Sequence, residues 1–189
     1  MSYVPISKLA LVEEQTATGE IAAIFDQIRR EVDAPYIPSV FRLMACSPAT
    51  LTAGWSMFHS FLQRASLPVS LLFMMHYSIS LARECQYCSV NFKENCRTVG
   101  IDEETLDALA NNLDEVNPRR VREIISFAIQ CALDPQSLTE ADYDRVREQG
   151  VSEEELVEII GWAAVVVFND TISDSMKLAD PKAQQFIEE

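Results

Sequence analysis

Cys85 and Cys88 stand three residues apart in the stretch ARECQYCSVNFKENCRTVG, which holds three of the chain's five cysteines. Three chemistries fit such a pair: a redox dithiol, half of a metal site, or two inert buried thiols. The residues Cys88–Val99 read as a helix running to Gly100, so the pair sits at or near a helix start. At helical spacing the two thiols lie on one side, close enough for a disulfide. Backbone N–H groups at a helix N-terminus favour a nearby anion and lower a thiol's pKa. A thiolate attacks a peroxide or a disulfide, and a second thiol resolves the product as an intramolecular disulfide. On the dipole argument alone, Cys85 is the nucleophile.

The competing chemistries have weaker support. A zinc site needs four ligands, yet there is one CxxC, Cys96 lies two turns further along the same helix, and His59 and His76 are the only imidazoles. No metal and no bound organic cofactor is therefore expected. Cys46, Cys96 and Cys131 read as buried filler, since free cysteine is among the most buried residue types. Cys131 lies on an apolar helical face with Ile124, Ile125 and Ala128.

Around the dithiol the pattern is helical nearly throughout. Residues 19–32 place Ile21, Ile24, Phe25 and Ile28 on one stripe. Pro35 and Pro38 then interrupt the chain. Ser47-Pro48 opens a helix carrying Leu51, Trp55, Phe58 and Leu62. Leu67-Pro68 opens another, from Val69 to about Arg83, which is apolar almost all round and so expected to be buried. No alternating run bounded by hairpin turns predicts a strand.

The second half echoes the first. RTVGIDEETLDAL and REQGVSEEELVEII each show a helix stopping at glycine, then an N-cap (Asp102 or Ser152) and an acidic first turn. Ser152 and Glu155 have the spacing of a capping box. Gly100 and Gly150 lie 50 residues apart, and an apolar helix precedes each unit, Val69–Arg83 and Val121–Leu133. The expected organisation is one all-α domain, a helical bundle with N-terminal helices over 1–66, the CxxC unit over 67–113 and a diverged repeat over 119–180.

Composition narrows the functions. The 189 residues are 48% hydrophobic with a formal charge of −14, an ordinary globular composition with no basic face for phosphates. Nucleic acid is not an expected partner. The N-terminus has no signal-like run, and the most apolar stretch, Ile159 to Phe168, is about half of what a bilayer requires. A cytoplasmic protein without membrane contact is expected, where thiols are kept reduced.

Three blocks resemble the alkylhydroperoxidase D-like and carboxymuconolactone decarboxylase superfamily, specifically its peroxidase-related branch. They are IPSVFRLMACSPATL, then LPVSLLFMMHYSISLARECQYCSVNFKENCRTVGIDEETLDAL, then ALDPQSLTEADYDRVREQGVSEEELVEII, in register over most of the chain. The resemblance implies an all-α fold assembling as homo-oligomers, trimers or hexamers, and CxxC-dependent reduction of organic hydroperoxides with electrons from an external dithiol. It also implies that Cys88 forms the sulfenic acid while Cys85 supplies the proton and resolves, the reverse of the dipole argument.

The sequence departs from the family at two positions. A glutamate and a histidine that relay protons in the family are Phe73 and Phe92 here. Neither exchanges a proton, and a drier site raises a thiol's pKa. Losing general acid–base assistance costs about 10²–10⁴ in rate. His76, one turn beyond Phe73, is the candidate substitute, with Glu84 and Tyr87 flanking the cysteines and His59 a weaker candidate. Lactone decarboxylation, or a non-catalytic redox sensor or oligomeric scaffold on the same fold, are the alternatives.

Overall fold

Local capping sets several of the helix boundaries. Ser47 caps a helix over Pro48–Arg64 by accepting from Thr50 N. Asp102 caps Glu103–Asn111 through Thr105 N, and Ser152 with Glu155 closes the expected capping box on Glu153–Ser175. Gly100 and Gly150 end the preceding helices at φ +87° and +73°, a region open to glycine without steric cost.

The computed structural model describes residues 6–32 and 36–179. In chain order the helices are α1 (Gly19–Val32), α2 (Ser39–Met44), α3 (Pro48–Arg64), α4 (Val69–Ala82), α5 (Gln86–Thr98), α6 (Glu103–Asn111), α7 (Arg119–Leu133), α8 (Glu140–Glu148) and α9 (Glu153–Ser175). The described residues contain no strand, only an isolated antiparallel bridge between Ile6 and Ala179. The fold is all-α, as the hydrophobic periodicity predicts. The break expected at Pro35 lies outside the described residues, as does residue 180.

Helix α4 runs through the centre. Leu71, Leu72, Met74, Met75, His76, Tyr77, Ser78, Ile79 and Ser80 are all buried as it packs on α5, α7 and α9. Trp162 on α9 donates its indole N–H to the Leu72 carbonyl at 2.7 Å, joining the two helices inside the core. Contrary to the ten-residue estimate for the longest apolar run, α9 is long and apolar enough, by length and composition, to cross a membrane. Half of that stretch is buried against other helices, as in a core helix. Its far end buries Asn169, Asp170 and Ser173, which gives it a polar inner face.

The expectation of buried filler holds for Cys96, fully buried, and largely for Cys131, half-buried. Burial pushes their thiols up to about 12 and about 11, so both stay protonated. It fails for Cys46, which is exposed. Cys46 sits in the tight turn between α2 and α3, with its N–H on Leu43 O and its thiol donating to Ala10 O at 3.3 Å.

Candidate functional site

The dithiol is placed by a sharp α4–α5 corner. Arg83 ends α4, Glu84 takes a left-handed φ of +59°, and Cys85 N–H returns to Ser80 O at 2.9 Å. A non-glycine residue there is strained. Cys85 becomes the N-cap of α5, and Cys88 occupies its first turn. Cys85 is fully enclosed in a small apolar cluster with Leu43, Tyr87, Cys88 and Leu178. Cys88, packed in the same cluster as Cys85, borders a cavity of about 520 Å³ that Cys85 does not reach. Phe41, Phe58, Tyr87 and Phe92 line the cavity, His76 lies beside Cys88 within it, and Asn91, Asn95 and Asn169 add polar edges.

His76 is fully buried, and among the described residues neither ring nitrogen has a hydrogen-bond partner. Its ring lies flat on Phe92, with centroids 3.4 Å apart and planes 7° apart, and Trp162 meets it edge-on at 5.8 Å. Phe73 in turn meets Phe92 edge-on at 5.7 Å. Phe92 thus stacks on the imidazole, and Phe73 backs Phe92. Burial holds His76 well below its ordinary 6.5, so the imidazole is neutral.

The residue that spacing could not reveal is Asp170, on α9. Its carboxylate is fully buried and accepts from Ser80 Oγ at 2.9 Å and Arg83 Nε at 3.1 Å. Burial raises its pKa, against the hydrogen bonds from Ser80 and Cys88 and the charge of Arg83. The ligating atoms of His76, Cys88 and Asp170 all lie within 4.8 Å of one another. Cys88 also donates to Ser173 Oγ at 3.6 Å. Its thiol is held well above the ordinary range, first by the hydrogen bond with Cys85, then by burial and the Asp170 charge. The Ser173 hydroxyl, able to turn and donate to a thiolate, works the other way.

Of the sequence candidates, Cys85, Cys88 and His76 come together, while His59 stacks on Trp55 at 5.1 Å and reaches Glu31 at 3.5 Å. The Tyr87 hydroxyl is committed to Val40 N–H at 3.1 Å. A helix-bundle thiol site with a Cys–His–Asp cluster at the edge of an aromatic cavity is the class that the geometry defines.

The carboxymuconolactone decarboxylase family profile matches residues 110–181, a span that includes Asp170 but neither cysteine. An uncharacterized peroxidase-related protein with an alkylhydroperoxidase AhpD core, from Ralstonia eutropha JMP134, superimposes with a TM-score of 0.83 at 22% identity, over 93% of this chain and 92% of that one. A peroxidase-related protein from Silicibacter sp. TM1040 gives 0.80 at 18%, over 92% and 91%. The debrominase Bmp8, in complex with 2,3,4-tribromopyrrole, gives 0.79 at 17%, over 94% of each chain. No curated protein matches the chain by sequence. The fold is that of the alkylhydroperoxidase D-like proteins, and residues 110–181 are similar to the carboxymuconolactone decarboxylase family.

Proposed function

We propose that the protein is a thiol-dependent oxidoreductase that reduces organic hydroperoxides through Cys88, with Cys85 as the resolving thiol. The observation that carries this is the position of Cys88, at the cavity edge with Cys85 directly behind it and His76 and Asp170 beside it. The neutral His76 takes the Cys88 proton, and the Asp170 carboxylate stabilises the imidazolium that forms. The thiolate attacks the distal peroxide oxygen and the O–O bond breaks. The alkoxide leaves with the proton from His76 as an alcohol, and Cys88 becomes a sulfenic acid. Cys85 then displaces water to give the Cys85–Cys88 disulfide, which an external dithiol reduces by exchange. This makes Cys88 the attacking thiol on grounds of access, against the dipole argument. Recycling requires a reducing compartment such as the cytoplasm. The exposed Val157 and Ile160 on α9 and Met57 on α3 suit burial in a homo-oligomer.

The experiment is steady-state turnover of cumene hydroperoxide and of hydrogen peroxide with dithiothreitol, in the presence of a chelator. The reading expects activity with the organic substrate that is lost in Cys88→Ser and Cys85→Ser. Activity retained in Cys88→Ser overturns it.

The aromatic cavity favours a second substrate class, a halogenated aromatic ring, and the debrominase's shared fold agrees with it. The same thiol would accept the halogen while the ring carbon takes a proton, and Cys85 would then release halide as the disulfide forms. Stoichiometric halide release by reduced protein tests it.

A further inference from the structure

We infer that His76, Cys88 and Asp170 form a binding site for a borderline-soft divalent cation, zinc being the natural occupant, whose fourth coordination position faces the aromatic cavity. Three observations carry it, and none depends on the peroxide reading. The three donor atoms come from three different helices and lie within 4.8 Å of one another, all buried. In a tetrahedral zinc site, with bonds of about 2.0–2.3 Å, donor atoms stand roughly 3.3–3.8 Å apart, so a contraction of about 1 Å completes the shell. The His76 ring is locked between Phe92 and Trp162 with both nitrogens unpartnered, which is costly for a buried polar group and is relieved by a metal bond. The donor set, one thiolate, one imidazole and one carboxylate, is of the nitrogen–sulfur–oxygen kind that zinc accepts.

The supporting contacts are of the kind that orient ligands. Ser80 and Arg83 hold the Asp170 carboxylate, one on each oxygen. Arg83 is also the opposing charge, set against the two negative ligands. The paired-motif argument against zinc misses this site because Cys88 and Asp170 lie far apart in the sequence and only the α5–α9 contact joins them. Occupancy and thiol chemistry exclude each other, since the metal takes the Cys88 thiolate and a Cys85–Cys88 disulfide removes a ligand.

The test uses the full-length protein, made metal-free, kept reduced and anaerobic, and titrated with Co²⁺. The inference expects one equivalent bound, with a sulfur-to-cobalt charge-transfer band in the near ultraviolet and the visible bands of a four-coordinate ion, displaced by Zn²⁺. Cys88→Ser abolishes the charge-transfer band. His76→Gln and Asp170→Asn, with folding checked by circular dichroism, weaken binding by ~100-fold or more, because loss of an outer-shell partner alone costs 10–100-fold. Zn²⁺ also protects Cys88 from alkylation in the wild type, and the preformed disulfide protein binds nothing. No charge-transfer band in the reduced wild type overturns the inference, as does a band unchanged in both His76→Gln and Asp170→Asn. Hydroperoxide turnover, measured separately on metal-free protein, is untouched by that failure.

Discussion

Replacing His76 with glutamine removes an imidazole that burial keeps neutral, and the consequence appears in how stability depends on pH. In the unfolded chain the imidazole titrates near 6.5; in the fold it protonates only well below that value. As pH falls, the unfolded state therefore takes up the proton first. The contribution is fully present above about pH 7 and is lost progressively as pH drops towards the folded-state value. Between about pH 7.5 and about pH 5.5 the unfolded-state proton term grows roughly tenfold, which removes about 1.4 kcal/mol of stability. Urea unfolding at those two pH values, with reductant and chelator, isolates this effect. Every other ionisable group is common to the two proteins, so the comparison isolates His76. The wild type should lose about 1.4 kcal/mol more than His76→Gln across the interval. Equal losses would mean that burial does not depress the imidazole, and a larger loss in the variant would mean that the fold holds a protonated imidazole against Asp170. His76 could not then be the base that accepts the Cys88 proton.

Asp170→Asn separates acidity from catalysis. Removing a negative charge that opposes the Cys88 thiolate should shift the pH profile of thiol alkylation downward, while hydroperoxide turnover falls on the order of 10²-fold because the imidazolium loses its counter-charge. Faster turnover would refute the relay. Gly161→Ala places a methyl 2.7 Å from Phe61 Cζ, on a ring packed against Trp162. Overpacking of about 1–3 kcal/mol outweighs alanine's helix preference of up to ~1 kcal/mol, so the melting midpoint falls by about 2–8 °C in a thermal scan. Glu84→Gly relieves the left-handed strain at φ +59°, and the same scan should show a rise of about 1–4 °C.

What was legible in the sequence was what short-range physics decides. Ser47, Asp102 and Ser152 announce helix starts because a cap is satisfied within three residues, and Gly100 and Gly150 announce stops for the same reason. His76 could be proposed because one helical turn separates it from Phe73, and α4 does carry it to Cys88. Asp170 was missed because its partners, Ser80, Arg83 and Cys88, come from α4 and α5, which no local pattern on α9 records. A signal did exist: Asn169-Asp170 interrupts the otherwise apolar end of a core helix, and a carboxylate there must be hydrogen-bonded or functional. Cys46 was misjudged because composition does not reveal that a turn of the chain lies uncovered. The stacking of Phe92 on the imidazole, with Phe73 behind it, is a packing outcome that no residue spacing encodes.

The most direct test of the central claim is a single turnover. Fully reduced, metal-free protein is mixed with one equivalent of cumene hydroperoxide, substrate loss is followed in time, and the cysteines are mapped by mass spectrometry with Cys88→Ser as control. The account predicts stoichiometric, rapid consumption with a Cys85–Cys88 disulfide as the product, abolished in the variant. Consumption no faster than by a free thiol in solution, or a disulfide that does not include Cys88, would contradict it.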